Sequence, residues 1–470
     1  MEAHRTQLFF ILITLFVHRT NGLLCFPLRC SGNNGKWNRL SKSSLLHMNS
    51  AENTLKGYDN FIRVNPASDK ISAMKFDHVE FYTGDATCTY KRFCYGLGME
   101  LVSKSDFSTG NFNHCSYLLQ SAGVKMLFTA PLPTNRNDNP TLGSTLPGYN
   151  ATFANEFLFK HGLAVRAIGI VVENLKASYE TMISNGAVTV LAPTFMSDES
   201  NNNNGYVEMA ELQLYEDVVL RLIERTNFKG HFLPHFKDLI RNPQIEENNI
   251  GRYGIQRFDH IVGNVYSLSN AMKYIKQITG FHDFAEFVAE DVGTVDSGLN
   301  SVVLANNNEF ILLPLNEPTY GTKRKSQIQT YLEQNHGEGV QHMALFSRDI
   351  FKTMKYMRAA TEFGGFEFMD PQPASYYLNL RNRIGDSLTE EEYQQVQELG
   401  LLVDKDDQGV LLQIFTKPLG DRPTIFIEII QRLGCLETDG SQRPGCGGFG
   451  KGNFKDLFKS IEDYEKSLNI

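Results

Sequence analysis

The sequence lacks several features that would assign it to particular classes of protein. None of its 7 cysteines lies in a Cys-x-x-Cys pair, which argues against a disulfide framework and predicts reduced intracellular thiols. Lys and Arg number 45 against 53 Asp and Glu, so the net charge is −8 without a basic block, and no nucleic-acid partner is expected. The apolar run Leu8–Val17 is shorter than the ~20 residues of a membrane-spanning helix, which argues against stable membrane association.

Residues 1–55 form an N-terminal extension with an unusual shortage of acidic residues. No Asp or Glu occurs between Glu2 and Glu52, whereas basic residues and serines are frequent there. Three interpretations stay open: a secretory signal built on the apolar run, an organelle transit peptide, or translation that truly starts at Met48. The expected location is cytoplasmic, with the plastid as the alternative and secretion disfavoured.

The remainder of the chain repeats itself. At ~150 residues per domain, 470 residues predict two to four units. Lys75-Phe-Asp-His78 is mirrored by Arg257-Phe-Asp-His260, and each is followed by a predicted strand, a helix and a glycine. The chain therefore predicts an α+β fold of duplicated βαβββ modules, with one half at 70–230 and the other at 255–470.

Hydrophobic spacing and β-branched residues predict the individual elements. The predicted helices are Ala86–Gly96, Leu175–Asn185, Ser269–Ile278, Lys325–Gln334 and Ile350–Thr361, with Gly96, Gly186 and Gly280 as stops. The predicted strands are Phe76–Tyr82, Cys115–Leu119, Val124–Thr129, Ala164–Val172, Val207–Leu214, Val218–Arg225, Phe258–Val265, Ser301–Ala305, Phe310–Leu315, Val340–Phe346, Leu411–Phe415 and Thr424–Arg432.

One carboxylate interrupts a run that should be buried. Glu428 lies in the middle of the β-branched and aromatic stretch Pro423–Arg432. An ionised carboxylate in an apolar interior requires a partner, because its desolvation is otherwise too costly. The run alone leaves two partners open, a metal ion or a distant arginine.

Aligning the halves favours the metal. His260 and His342, on two further predicted strands, complete a set of two imidazoles and one carboxylate, although a histidine in such a position is, taken alone, more often a core residue than a ligand. Such a set is typical of non-haem Fe(II), with zinc in a hydrolytic site as the competing metal. In the alignment His260 faces His78, His342 faces Ala167 and Glu428 faces Arg221. The first half therefore cannot repeat the site.

Polar and aromatic residues near these strands suit an aromatic substrate that carries a hydroxyl group. The candidates are Ser301, Asn316, Gln327, Gln341, Gln413, Phe415 and Phe426. Near the C terminus, the glycine-rich stretch 445–453 precedes a helical pattern over 454–468, which predicts a hinge and a lid that excludes water.

Several segments resemble one known family. They are Phe258–Asn264, Gly321–Tyr331, Gly339–His342, Leu411–Arg432 and Cys446–Phe454, and in the first half Phe157–Arg166. Over roughly residue 60 to the C terminus, the chain resembles the plant-type 4-hydroxyphenylpyruvate dioxygenases of the vicinal oxygen chelate superfamily. The resemblance implies two open half-barrels with flanking helices, a C-terminal lid helix and a homodimer.

The resemblance also implies a reaction and a set of site residues. One Fe(II) per chain would be held by His260, His342 and Glu428, with no further catalytic residue. A small aromatic 2-keto acid, 4-hydroxyphenylpyruvate, would react with O2 to give homogentisate and CO2, in tyrosine catabolism and prenylquinone and tocopherol supply. The implied substrate-binding residues are Ser301, Asn316, Gln327, Gln341, Gln413, Phe415, Phe426, Phe449, Asn453, Phe454 and Leu457. The alternatives are a 4-hydroxymandelate synthase and a non-catalytic binding protein of the same fold.

Overall fold

Two β-sheets, one from each half of the chain, form the framework of this computed structural model. It describes residues 55–133, 145–198, 205–239, 252–293, 297–438 and 442–468, so the predictions for the N-terminal extension lie outside the described residues. The first sheet contains β1 Ala73–Tyr82, β2 Glu100–Ser105, β3 His114–Ser121, β4 Val124–Pro131, β5 Ala164–Val172, β6 Thr189–Ser197, β7 Tyr206–Tyr215, β8 Val218–Thr226 and β9 Lys237–Asp238. The second contains β10 Ile255–Asn264, β11 His282–Phe287, β12 Leu299–Ala305, β13 Leu312–Pro318, β14 Gly339–Ser347, β15 Leu402–Lys405, β16 Gly409–Phe415 and β17 Phe426–Gly434.

The two sheets have the same topology. The first has the strand order β6-β7-β8-β5-β1-β4-β3-β2-β9, and the second has β15-β16-β17-β14-β10-β13-β12-β11. In each, two parallel pairs occur at equivalent places: β1 with β4 and β5 with β8, then β10 with β13 and β14 with β17. Both sheets curl into half-barrels. The predicted duplication of βαβββ modules is confirmed, and β9 is an addition to the first copy.

Helices flank the sheets. They are α1 Ala86–Leu97, α2 Ala151–His161, α3 Leu175–Ser184, α4 Leu268–Thr279, α5 Ala289–Val292, α6 Gln327–Gln334, α7 Ile350–Thr361, α8 Ala374–Ile384, α9 Glu390–Leu399 and α10 Phe454–Ser467. Short 3-10 turns lie at Tyr58–Asn60, Phe107–Thr109 and Lys451–Asn453. Within the described ranges, no helix has both the length and the apolarity needed to cross a membrane.

Side-chain caps and glycines explain where the predicted helices start and stop. Asp85 caps α1 by accepting a hydrogen bond from the backbone N–H of Cys88, and Gly280 ends α4 in the left-handed conformation, as predicted. The prediction that Gly96 ends α1 is wrong, because the helix continues to Leu97 and Gly98 ends it with φ 64°. Gly96 instead allows close packing, since a Cβ there would lie 2.6 Å from the Phe366 ring.

The largest hydrophobic core draws residues from both sheets. Phe76 of β1 and Phe258 of β10 pack edge to face with ring centroids 6.1 Å apart. Each fully buried aliphatic or aromatic side chain contributes ~1.5–3 kcal/mol, so the shared core holds the halves together. The structure forms one compact unit over 53–470, and the domain boundaries 70–230 and 255–470 stay a prediction.

The prediction of reduced thiols is wrong for one pair of cysteines. Cys435 and Cys446 form a disulfide across a sequence separation of 11 residues. Their spacing carries no signal by itself; the chain turns back after β17, where Arg443 N–H donates to the Cys435 carbonyl at 3.0 Å. Among the residues that the structure covers, Cys88, Cys94 and Cys115 are free thiols.

Candidate metal centre

Three adjacent strands place His260, His342 and Glu428 on one face of the second sheet. Ala344 of β14 is the register partner of His260 on β10 and of Glu428 on β17. His342 precedes Ala344 by two residues and therefore lies on the same face of β14. The small side chain of Ala344, between the two larger groups, leaves space in the middle of the cluster.

The three side chains are close together and buried. His260 Nε2 lies 3.1 Å and His342 Nε2 lies 3.6 Å from the same carboxylate oxygen, Oε2 of Glu428. One potential ligand atom from each residue falls within 4.8 Å of the others, and the part of the chain that the structure describes has no other such group of three. The Glu428 side chain is only 3% exposed. The cluster has the donor types and spacing that a divalent metal requires.

Two β-bulges fix which nitrogen of each histidine faces the cluster. A register shift at Asp259 brings its Oδ1 to 2.9 Å from His260 Nδ1, and a second shift at Gln341 brings its Oε1 to 3.0 Å from His342 Nδ1. Both partners are acceptors, so Nδ1 carries the proton in each ring. When the rings are neutral, each Nε2 therefore faces Glu428 with a lone pair, which is the arrangement of metal-bound histidines.

The electrostatics of the cluster favour an ionised carboxylate. Burial acts to raise the pKa of Glu428, but the imidazoles of His260 and His342 outweigh it and hold that pKa below its ordinary value. Burial lowers the pKa of His342 and so favours its neutral form. Although burial also acts on His260, Glu428 and Asp259 outweigh it and raise its pKa. The cluster therefore favours a positive charge next to the ionised carboxylate of Glu428.

A cavity adjoins the cluster. All of the predicted substrate residues except Asn453 line it: Ser301, Asn316, Gln327, Gln341, Gln413, Phe415, Phe426, Phe449, Phe454 and Leu457. Sequence reasoning missed the remaining lining residues, which are Val262, Phe287, Leu299, Val303, Pro314, Phe458 and Ile461. Periodicity was the available signal for two of these, because Phe458 and Ile461 share a helical face with Phe454 and Leu457.

Asn453 lies next to the cavity but does not line it. Its Oδ1 accepts hydrogen bonds from Tyr376 Oη at 2.9 Å and from Arg383 Nη2 at 3.2 Å, both on α8. The residue is completely buried at the start of α10. Its Oδ1 links the start of α10 to α8, and its role in substrate binding stays a prediction.

Comparison with known proteins identifies the family. No protein-family model matches the sequence. The chain is 52% identical over 437 residues to 4-hydroxyphenylpyruvate dioxygenase from Daucus carota, covering 91% of this chain and 96% of the relative. It is 50% identical over 424 residues to the Arabidopsis thaliana protein of that name, covering 88% and 93%, and 36% identical over 396 residues to the one from Pyricularia oryzae, covering 82% and 89%. The chain belongs to the 4-hydroxyphenylpyruvate dioxygenase family.

Solved structures agree on the fold. A triple mutant of 4-hydroxymandelate synthase from Streptomyces coelicolor superposes with a TM-score of 0.66 at 20% identity, covering 84% of this chain and 100% of that one. At that identity the likeness concerns the fold alone. The predicted vicinal oxygen chelate fold is confirmed for this member of the dioxygenase family.

The first half of this dioxygenase-family chain carries a guanidinium where the second half carries its acidic ligand candidate. Gly169 of β5 is the register partner of both His78 and Arg221. Ala344 has the same relation to His260 and Glu428 in the second half, so the structure agrees with the alignment of the halves. Arg221 donates to His78 Nε2 at 2.9 Å, to Glu80 at 2.5 Å and to Glu211 at 2.7 Å. Burial opposes its charge, but the two glutamates outweigh it and raise the pKa of Arg221. An internal cation thus takes the place that corresponds to the candidate metal site of the second half.

Helix α10 covers the cavity and carries a carboxylate that titrates near neutrality. Glu465 is 5% exposed and faces Arg324, whose Nη2 lies 3.4 Å from its Oε2. Burial raises the pKa of Glu465 to about 7, because the attraction of Arg324 only partly offsets the loss of solvation.

This pKa gives the lid helix a pH-dependent stability. The folded pKa lies above the ordinary value, so folding takes up a proton and ionised Glu465 costs stability as the pH rises from about 5 through 7. We expect Glu465→Gln to stabilise the protein at pH 8 by on the order of 2 kcal/mol more than at pH 5, measured by urea unfolding. Glu398→Gln, at an exposed position of α9, is the control for the loss of a carboxylate at the surface; an equal response of both variants would contradict the assignment.

Proposed function

We propose that this chain is an Fe(II)-dependent dioxygenase that converts 4-hydroxyphenylpyruvate and O2 to homogentisate and CO2. The observation that carries the proposal is the convergence of His260, His342 and Glu428 on one cavity, in a chain of this family. The atoms balance without a further reactant, because both oxygen atoms of O2 are used. One enters the new carboxyl group at the former keto carbon as the original carboxylate leaves as CO2, and the other becomes the ring hydroxyl as the side chain migrates.

The residues at the cluster fit one Fe(II) per chain. Two neutral imidazoles and one carboxylate hold this ion while leaving positions open on one side. Bound there, Fe(II) would supply the activation of O2 and the oxidative decarboxylation of a 2-keto acid. The protein contributes the fixed orientation of the ligands, since Asp259 and Gln341 hold the outer nitrogens of His260 and His342.

Amide side chains would hold the polar groups of the substrate. Asn316 Nδ2 lies 3.5 Å from Gln341 Oε1, so these two amides are already oriented in the cavity wall. Gln327 Oε1 is buried, with no hydrogen-bond partner among the described residues, and the residue lines the cavity. An unpaired buried acceptor costs ~1–3 kcal/mol, and a substrate hydroxyl that donates to it would recover that cost.

Phenylalanines would hold the aromatic ring and exclude water. The Phe415 and Phe426 rings meet edge to face with centroids 6.0 Å apart, and Phe426 stacks on His342 at 4.9 Å. On the opposite side, Phe449 lies edge to face with His260 at 5.2 Å. These apolar walls orient a flat ring beside the cluster, while Phe454, Leu457 and the remainder of α10 close the cavity.

The remaining assignments of this proposal rest on the family. The second half, 255–470, is the catalytic domain, and the first half, 70–230, is a domain without a metal site. The protein acts as a homodimer in tyrosine catabolism and prenylquinone and tocopherol supply. It is located in the cytoplasm, with the plastid as the alternative.

Product analysis tests the proposed function. The purified chain, loaded with Fe(II) under anaerobic conditions, is mixed with 4-hydroxyphenylpyruvate and O2, and the products are separated by chromatography. The expected result is homogentisate with one CO2 released per O2 consumed. Formation of 4-hydroxymandelate, or absence of Fe(II)-dependent O2 uptake, would contradict it.

A further inference from the structure

Arg432 is fully buried beside Asp259, and among the described residues it forms no hydrogen bond with any of the three candidate ligands. Its side chain has 0% exposure and makes a two-point contact with Asp259: Nη2 donates to Oδ1 at 2.7 Å and Nε donates to Oδ2 at 3.0 Å. Asp259 in turn holds His260 Nδ1 at 2.9 Å. A bidentate arginine–carboxylate pair has a fixed geometry, so the position of Arg432 determines the orientation of the His260 ring.

The same guanidinium contacts the glycine-rich loop 445–450 that precedes the lid helix. Its Nη1 donates to the carbonyl of Cys446 at 2.5 Å and to the carbonyl of Gly448 at 2.6 Å. Gly447 and Gly448 have φ values of 76° and 71°, which residues with side chains rarely adopt, and this conformation presents the carbonyls to Arg432. The disulfide fixes the loop only at Cys446, so the contact at Gly448 extends the anchorage toward α10.

One ring links the loop to the cluster. Phe449 lies 5.6 Å from the Arg432 guanidinium and 5.2 Å from the His260 ring, where it forms part of the cavity wall. Asp259 and the loop carbonyls therefore share one donor group, the Arg432 guanidinium, and His260 is linked to that group through Asp259. Displacement of any of them changes the geometry available to the others.

The first half contains the same arrangement without a metal cluster. Arg225 makes a two-point contact with Asp77 at 2.5 and 3.0 Å, and Asp77 Oδ2 lies 2.6 Å from His78 Nδ1. Arg225 Nε also donates to the carbonyl of Phe232 at 3.3 Å, and the Phe232 ring packs on His78 at 4.9 Å. The unit of arginine, aspartate, histidine and loop phenylalanine thus belongs to the repeated fold, and Arg225 is a matched control for Arg432.

We propose that Arg432 is a positioning residue that couples metal binding at His260 to closure of the loop 445–450. This inference rests on the proposed metal site. With a metal held by the cluster, the His260 ring would be immobilised, and Asp259 and Arg432 would be ordered with it. The hydrogen bonds from Arg432 to the Cys446 and Gly448 carbonyls would then be strengthened. Metal binding and closure of the cavity then favour each other, as reciprocal coupling requires.

Hydrogen exchange of the full chain, with and without anaerobic Fe(II), tests the coupling. In the wild type, Fe(II) should slow exchange of the backbone N–H groups in 445–450 by about tenfold or more, the protection expected from one or two hydrogen bonds to a charged donor. The Arg432→Lys variant keeps a positive charge beside Asp259, but the lysine ammonium cannot contact Asp259 and both loop carbonyls at once. In this variant Fe(II) should therefore slow the exchange of the 445–450 backbone N–H groups by less than about twofold. Arg225→Lys should behave like the wild type.

Two outcomes would overturn the inference. The first is that Arg432→Lys binds iron and its 445–450 backbone N–H groups are still protected by Fe(II) as in the wild type. The second is that Arg225→Lys loses this protection to the same extent, which would indicate a general destabilisation of the protein. If Arg432→Lys does not fold, the charge-balanced pair Asp259→Asn with Arg432→Gln takes its place, and the same loss is expected. Metal analysis of each sample separates the two proposals, because a wild type that binds no iron overturns the proposed function and this inference together.

Discussion

Replacing Glu428 by alanine is expected to remove iron binding and turnover together. Glu428 is the sole anionic group of the cluster, 3.1 Å from His260 Nε2 and 3.6 Å from His342 Nε2. Two neutral imidazoles remain in the variant, and they cannot offset the charge of a divalent ion in a buried site. His342→Ala should have the same effect. Removing a residue that only hydrogen-bonds to a metal ligand lowers metal affinity or activity by about 10–100-fold. Removing the ligand itself should therefore lower them by more than that.

The control for this prediction is the equivalent histidine of the first half. His78 is completely buried and also lies beside an aspartate, but its neighbour across the sheet is Arg221 instead of an acidic ligand. His78→Ala should lower stability and keep one iron per chain, measured by metal analysis after gel filtration. If the His78 variant loses its iron, or the Glu428 variant keeps it, the assignment of a single metal site to the second half is wrong.

Replacing Arg221 by alanine is expected to destabilise the protein by about 3–5 kcal/mol, the cost of leaving buried charges without their partner. Its guanidinium holds two carboxylates, those of Glu80 and Glu211, which are 1% and 6% exposed. Thr129 donates a further hydrogen bond to Glu80 at 2.6 Å but supplies no charge. The loss should appear in urea unfolding followed by circular dichroism.

An exposed ion pair provides the comparison for Arg221. Arg381 pairs with Glu390 at the surface, where both side chains are at least half exposed and solvent screens their attraction. Arg381→Ala should change the unfolding midpoint little. Should the Arg221 and Arg381 variants unfold at the same urea concentration, the buried guanidinium would not be the cation that the first half depends on.

The duplication and the ligand candidates could be predicted because both leave strong local signals. The Phe-Asp-His motifs at 76–78 and 258–260 occur at the same place in each copy, and the structure gives both copies the same strand order. Glu428 is conspicuous because a charge inside a β-branched run requires compensation. Two elements, Ala164–Val172 and Ile350–Thr361, have the predicted boundaries.

Features that depend on the third dimension could not be predicted. The bulges at Asp259 and Gln341 break the strict alternation of strand side chains, so periodicity does not indicate that each residue lies beside its histidine. The disulfide joins Cys435 to Cys446 through a turn that carries no pairing signal. Asn453 lies within the cavity-lining stretch of sequence but turns toward Tyr376. In each case long-range contacts decide the outcome.

One of two missed neighbouring helices did leave a local signal. Helices α8 and α9 lie between α7 and β15, and they have no counterpart between α3 and β6 of the first half. Alignment of the repeats could not reveal them. Thr389 and Glu392 nevertheless form a capping box at the start of α9, with reciprocal hydrogen bonds between side chains and backbone. The Thr-x-x-Glu spacing was sufficient to predict that helix.

Anomalous diffraction at the iron absorption edge, from crystals loaded anaerobically with Fe(II), tests the central claim most directly. We predict one strong peak per chain, within coordination distance of His260 Nε2, His342 Nε2 and a Glu428 oxygen, and no peak beside His78 and Arg221 in the first half. A peak at any other position, a second peak of equal strength in the first half, or density at the cluster without an iron signal would contradict the account.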